Sequence, residues 1–399
     1  MRISTQTIYS QGLSNMLTQE AAYLDASSEV SSGKRVVNPS DDSSAASQAV
    51  VVQQASSLND QYAAARTSVT TSLSTEESAL DSISDAITSA KTLLIQAGDG
   101  TLSDDDRASI ATSLQGIYDT LVSLANTTDS NGNYIFSGYQ SESQTFVADA
   151  DGNLTYQGDD NAVMQQISAT ETIASGDTGQ SVFLSVGSAA GFVAQASADN
   201  SGSVTFDGPD ITDSSATNYG TAFTLTFAVD DDGATTYSVD GGDAVAYESG
   251  DTVEVNGLSM TLEGEPADGD SISVSAAAEA DPDLFSTLQN IITALNTPVE
   301  DEADQAALSN TLSTSSRELD NALDNVLTVR TSVGTRMNEI DVLDTVGDDM
   351  SLTYATSLSN LTDADYTTSV SNYTALQVAL QAAQQTFASV QDMTLFDYI

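Results

Sequence analysis

Apolar residues recur along this chain with two different periods, and the change of period divides it into three stretches. From Val69 onward, alternating steps of four and three run through Leu73, Leu80, Ile83, Ile87, Ala90 and Leu94, interrupted only at Glu76. That spacing keeps the members on one face of an α-helix and is the seam of a heptad repeat. Nearer the start, Tyr9, Leu13, Met16, Glu20, Tyr23, Ser27 and Val30 keep the same step, with two polar members that weaken the stripe. Toward the end, Leu319, Leu323, Val326, Val333, Met337 and Ile340 form a third seam, and Leu376, Leu380, Ala383, Phe387 and Val390 a fourth. Such stripes require apolar partners, and their placement at both ends pairs the first helix with the last. A terminal helix with so broken a seam is marginal alone and gains most by packing against other copies.

Between the arms the period becomes two. Phe223, Leu225, Phe227 and Val229 alternate with Thr224, Thr226 and Ala228, the pattern of a half-buried strand. Asp151-Gly152, Asp232-Gly233, Asp240-Gly241-Gly242, Asn256-Gly257 and Asp268-Gly269 punctuate short Val/Ile/Thr/Tyr/Phe runs, as hairpins require. The predicted fold is α+β and multidomain: helical arms pair as a coiled-coil or bundle rod around an inserted all-β domain. The expected division is 1–40 with 365–399 as a terminal coiled coil that orders on assembly, 41–140 with 281–364 as a helical bundle carrying a β-hairpin, and 141–280 as the β-rich insertion.

Residues 31–42 read as one helix stopping and another starting. Gly33 can take the left-handed conformation that ends a helix, with Lys34 and Arg35 beside the negative end of its dipole. Pro39 extends Asn38, Ser40 is placed to cap the next helix, and Asp41 and Asp42 sit at its positive end.

Composition narrows the chemistry. The 399 residues contain no His, Cys or Trp, and 58 acids stand against 9 Lys and Arg, a net charge of −49. Thiolate catalysis, a Ser-His-Asp relay, haem or iron-sulfur ligation and an ordinary zinc site are excluded. From residue 108 to 316 there is no basic residue, which argues against nucleic acid and anionic membrane as partners. The start, from Met1 through Gln6, opens no long apolar run, so no cleaved signal peptide is expected and no stretch reads as a membrane span. Asp149-Ala150-Asp151-Gly152-Asn153, with Asp160 at the twelfth position, opens like a calcium loop, but Leu154 occupies the sixth position, where such a loop needs Gly; a hairpin turn is expected instead. Asn131-Gly132, followed by Tyr134 and Phe136, reads as a type I′ hairpin that packs aromatics.

The string from Ser31-Ser32-Gly33-Lys34-Arg35 to Pro39-Ser40-Asp41-Asp42 resembles the amino-terminal signature of the flagellin family, in the form found at the junction of hook and filament. Leu124-Ala125-Asn126-Thr127 leading to Asn131-Gly132-Asn133-Tyr134-Ile135-Phe136-Ser137-Gly138-Tyr139 is similar to the helix end and hairpin of those members. Val329-Arg330-Thr331-Ser332-Val333-Gly334-Thr335-Arg336-Met337-Asn338 and Leu358-Ser359-Asn360-Leu361-Thr362-Asp363-Ala364-Asp365 resemble the family's carboxy-terminal patterns, and Thr394 to Ile399 its junction-type tail. Ser43 departs from the usual Pro after the paired Asp, and Gly98-Asp99-Gly100 replaces an Asn-Gly step.

What the resemblance implies is a structural protein of the flagellum, not an enzyme, without cofactor or metal. Its implied partners are other copies of itself in a ring, a hook-side adaptor, flagellin, and an export chaperone that holds the last helix before unfolded passage through the flagellar type III channel to the exterior. The residues expected to make assembly contacts are Leu13, Met16, Tyr23, Gly33, Lys34, Arg35, Pro39, Asp41, Asp42, Arg330, Arg336, Leu376, Leu380, Phe387, Leu395 and Phe396. A filament flagellin is the alternative within the family, and an acidic, calcium-responsive extracellular adhesin the alternative outside it.

Overall fold

The structure, a computed structural model, describes residues 5–392 except 150–152, 188–189, 231 and 281–282. Leu395, Phe396 and the rest of the carboxy-terminal tail lie outside the described residues, as do the first four and the Asp151-Gly152 turn. Two compact units are present: residues 1–65 with 341–399, and residues 66–340.

In the first unit, α1 (Thr5–Ser32) packs against α7 (Tyr366–Asp392), and the beginning of α2 (Ser43–Ala97) lies beside the end of α6 (Glu302–Thr362), where Asn59 Nδ2 donates to the Gly347 carbonyl at 2.9 Å. α1 ends at Gly33, whose N–H donates to the Glu29 carbonyl at 2.9 Å and whose φ of +69° then turns the chain out of the helix. The connection then follows the far end of α6. A single antiparallel bridge pairs Lys34 with Asp363, and Arg35 N–H donates to the Thr362 carbonyl at 2.7 Å.

Two expectations about this connection are corrected. The cap of α2 is Asp42, whose Oδ1 accepts from Ala45 N–H at 2.9 Å, not Ser40. Asp41 closes a tight turn by accepting from Val37 and Asn38 N–H at 3.1 and 2.7 Å, so Ser40 is spent inside that turn and the helix starts later. Arg35 does not cover the end of α1; it donates to the Leu361 carbonyl at 2.8 Å, in the last turn of α6.

In the second unit the α2 seam is buried as its period requires, and the α6 seam is buried except at Leu323 and Met337, which are half-buried. Leu73, Leu80, Ile83, Ile87 and Ala90 are fully buried on α2, as are Leu319, Val326, Val333 and Ile340 on α6. α3 (Asp104–Ala125) begins with a reciprocal capping box between Ser103 and Asp106 and packs against α5 (Leu284–Asn296). Two hairpins follow α3: β1 (Phe146–Ala148) with β2 (Leu154–Tyr156), and β3 (Met164–Gln166) with β4 (Thr172–Ala174). The short α4 (Gly179–Phe183) then sends Phe183 into an aromatic cluster with Phe136, Phe146 and Phe285, ring centroids 5.0–5.5 Å apart.

The remaining strands are β5 (Phe192–Ala196), β6 (Thr205–Ile211), β7 (Phe223–Val229), β8 (Thr235–Val239), β9 (Val245–Ala246), β10 (Thr252–Val255), β11 (Leu258–Glu263) and β12 (Ser271–Ala276). They form two antiparallel sheets, ordered β10-β11-β6 and β5-β12-β7-β8-β9. Phe206, Leu258 and Leu262 from the smaller sheet share one core with Phe223, Leu225, Phe227 and Ile272 from the larger. In β7, Phe223, Leu225 and Phe227 are buried while Thr226 and Ala228 are exposed.

Turn chemistry divides into two kinds. Asp240-Gly241 and Asn256-Gly257 both carry positive φ (52°, 70°; 53°, 80°), the type I′ geometry that suits the right-handed twist of a hairpin. The predicted type I′ turn at Asn131-Gly132 is corrected, since only Gly132 takes a positive φ, +86°. There Asp129 organises a five-residue loop: its carboxylate accepts from Asn131 and Asn133 N–H at 2.8 and 2.9 Å, while its own N–H donates to the Asn133 carbonyl. The same arrangement joins Asp230 to Ala234 and Asp149 to Asn153. Asp149 and Asn153 thus bond to each other between the paired strands β1 and β2, and Asp149 Oδ1 is engaged by backbone.

Candidate assembly surface

α1 and α7 run antiparallel, with Tyr9, Tyr23 and Phe387 of the predicted stripes in the contact and Gly12, Glu29, Ser369 and Tyr373 joining it from outside those stripes. The Tyr9 and Phe387 rings lie 5.1 Å apart. Gly12 makes room for Phe387, since a Cβ there would stand 3.1 Å from the ring. Tyr23 stacks on Tyr373 at 5.2 Å with their hydroxyls hydrogen bonded at 2.8 Å, and Ser369 Oγ donates to Glu29 at 2.7 Å. Met16, Leu376, Leu380 and Phe387 are half-buried, and Leu13 is exposed. Only Ala26 and Ser369 are fully buried among the described residues of the two helices, so the pair holds little apolar surface of its own out of water.

The first unit as a whole, α1 and α7 included, shows large apolar side chains to solvent. Leu17, Leu24, Val50, Val51, Val342, Leu352 and Val378 are each more than half exposed, up to 69% at Leu352. Sequence reading missed this second face. Its signal was available in Val50-Val51 and in Val342, Val346 and Met350, apolar positions that fall off the single seam assigned to each helix.

The predicted site residues fall in two places. Gly33, Lys34, Arg35, Pro39, Asp41 and Asp42 form the connection in the first unit, where the Arg35 guanidinium pairs with Asp42 at 3.2 Å. The N–H of Ala45 and then that guanidinium hold the Asp42 carboxyl below the usual carboxylate range. Arg330 and Arg336 belong to the second unit. Arg330 donates twice to Glu77, at 3.0 and 2.6 Å, and also pairs with Asp81. Arg336 pairs with Asp177 and donates to the Ala174 carbonyl. Both guanidinium groups are thus spent on ties inside their own unit. Among the described residues no three acidic side chains converge as a metal site would require, and no helix is long and apolar enough to cross a membrane.

Comparison with known proteins follows the same division. Residues 3–141 match the bacterial flagellin N-terminal helical region, and residues 317–399 the bacterial flagellin C-terminal helical region. The flagellar hook-associated protein 3 of Salmonella typhimurium is 36% identical over 399 residues, covering 99% of each chain. Two solved structures from Legionella pneumophila share the fold. One, described as flagellar hook-associated protein 3, has a TM-score of 0.71 at 27% identity, over 78% of this chain and 98% of its own. The other, described as the flagellar junction protein FlgL, has a TM-score of 0.67 at 26% identity, over 79% of this chain and 100% of its own.

The arms and their sequence define a structural protein of the bacterial flagellum. The chain belongs to the flagellin family, in the branch of the flagellar hook-associated proteins 3.

Proposed function

We propose that this chain forms the ring that joins hook to filament, with copies packed side by side through the first unit. The observation that carries the reading is the exposed apolar face of α1, α2, α6 and α7, whose area is stabilised only when other chains cover it. The hook-side adaptor covers one side of the ring and the first flagellin the other. Leu13, Met16, Tyr23, Leu376, Leu380 and Phe387 set the pairing of the terminal helices, the 33–42 connection fixes its direction, and the tail with Leu395 and Phe396 extends the contact. Before assembly, the α7 stripe lies in the groove of an export chaperone, and the chain leaves the cell unfolded through the flagellar type III channel.

Labelled protein on intact flagella, imaged by negative-stain electron microscopy, tests the assignment. A single band at the boundary of hook and filament is expected; label along the whole filament replaces the junction with a filament flagellin.

The division into a terminal pair that orders on assembly, a bundle and a β-rich insertion carries its own expected result. Because α1 and α7 bury so little, limited proteolysis of the free chain cuts within residues 5–32 and 366–392 well before the β sheets. Equal resistance of these helices and the sheets would contradict ordering on assembly.

A further inference from the structure

Glu76 occupies the one polar position of the α2 seam, between Leu73 and Leu80, and it is as inaccessible as they are, 2% exposed. A carboxyl in such a place must be neutral or fully paired. It is not fully paired. The N–H of Asp177 donates to Oε1 at 2.9 Å, while Oε2 is buried without a partner, close to the backbone of Gly176.

Two charged groups face it: Asp177, on the strap of residues 175–178, and Arg336, on α6. Arg336 is already engaged by the Asp177 carboxylate and the Ala174 carbonyl. On its own helix, the adjacent Glu77 is turned to Arg330. An adjoining cavity of about 310 Å³ adds Asp129, Tyr134 and Tyr139 to the surroundings. Burial first, and then the Asp177 charge, push the Glu76 carboxyl up to about 8 against the opposing pulls of the Asp177 N–H and, after it, Arg336.

Ile167 and Ile173 of the β3–β4 hairpin region are buried, and polar ties fasten the hairpin and the strap after it to the helices. Arg66 Nη1 donates to the Ile167 carbonyl at 3.1 Å, Arg336 holds Ala174 and Asp177, and Glu76 holds the Asp177 N–H. In the hairpin turn, Glu171 lies against Glu339 of α6, and this contact raises the Glu339 carboxyl.

We propose that Glu76 is a proton-operated latch: neutral, it holds the 175–178 strap and the β3–β4 hairpin onto α2 and α6, and ionised, it releases them. The sign follows from linkage. The docked carboxyl keeps its proton up to about pH 8, whereas the same carboxyl in the undocked chain loses it near its ordinary value of 4.5. Docking therefore takes up a proton throughout that window. Stability of the docked form is fully present below the lower value, falls as pH rises between the two, and levels off above about 8. One proton corresponds to about a tenfold rise in the undocked fraction per pH unit within the window.

Backbone hydrogen exchange of the full chain, followed from pH 5 to pH 9, reads the latch. The amides of Ser175, Asp177 and Gly179 are compared with those of β7 and β12 in the same molecule, which removes the base catalysis common to all amides. The expected ratio rises about tenfold per pH unit and flattens above about pH 8. In Glu76→Gln, which keeps the acceptor oxygen but cannot ionise, the ratio stays flat. A flat ratio in the native chain overturns the proposal, and so does a rise that Glu76→Gln leaves unchanged. Should the variant not fold, the ¹³C resonance of the native Glu76 carboxyl decides: titration near 8, together with the plateau in exchange, supports the latch, and titration in the ordinary carboxylate range overturns it.

Discussion

Phe387→Asp is expected to leave cells with hooks but without filaments, while the secreted chain keeps its β sheets. Phe387 is the outer anchor of the terminal pair, its ring against Tyr9 and above Gly12. Aspartate removes an aromatic contact worth about 1 kcal/mol, puts a charge on a half-buried seam, and adds a negative group near the carboxy-terminal end of a helix. The combined cost is about 3 kcal/mol. That is large for a pair in which only Ala26 and Ser369 are fully buried among the described residues. The loss is repeated at every copy in a ring. Leu380→Asp acts in the same direction, whereas Phe387→Leu retains most of the apolar contact and keeps filaments. A motility assay decides, with secretion level and circular dichroism as controls. Normal swimming by cells that carry either aspartate variant at normal expression removes the α7 stripe from the assembly contact.

Periodicity located the helices because burial along a packed helix repeats with the helix itself. The seam from Val69 to Leu94 and the members Leu319, Val326, Val333 and Ile340 are buried as that logic requires, and β7 is buried on alternate residues. The break at Glu76 was visible, but its meaning was not. A polar residue on a seam reads as weakness until the partner supplied from a hundred residues away, the Asp177 N–H, is seen. The Asp129, Asp149 and Asp230 loops share the string Asp, two residues, Gly. The Asn-Gly or Asp-Gly pair inside each string hid the Asp at its start, which bonds across the loop; at Asn131 and Asp232 the backbone keeps a negative φ where type I′ would need a positive one. The family signatures made the arms recognisable. They carried no information on which segment of the middle packs back onto the helices, because that depends on Phe146, Ile167 and Phe183 finding partners distant in sequence.

Those partners decide where the middle of the chain can be cut. Removing everything between about residues 141 and 280 takes Phe146 and Phe183 from the cluster that includes Phe285, and Asp177 from Glu76 and Arg336, so the bundle itself is damaged. Residues 192–276 are a different case. Their two sheets share a core of their own, and the chain enters and leaves it at adjacent points, the Ala277 N–H donating to the Gly191 carbonyl at 3.0 Å. The face of α6 beneath the sheets offers Asn310, Thr314 and Arg317, which bond to Val204, Phe206, Ala194 and Asp210 and can bond to water instead. The removed piece carries 16 of the 58 acidic residues and no Lys or Arg, so side-by-side copies lose repulsion and no matching attraction. Replacing residues 192–276 by a two- or three-residue Gly/Ser linker is therefore expected to give a chain that is exported, keeps the helical part folded and supports filament growth with lower sensitivity to low salt. Cells complemented with this variant are scored for filaments on their hooks at several ionic strengths. A truncated chain that is secreted and stable while hooks remain bare shows that the acidic sheets make a contact needed for joining hook to filament, against the charge argument.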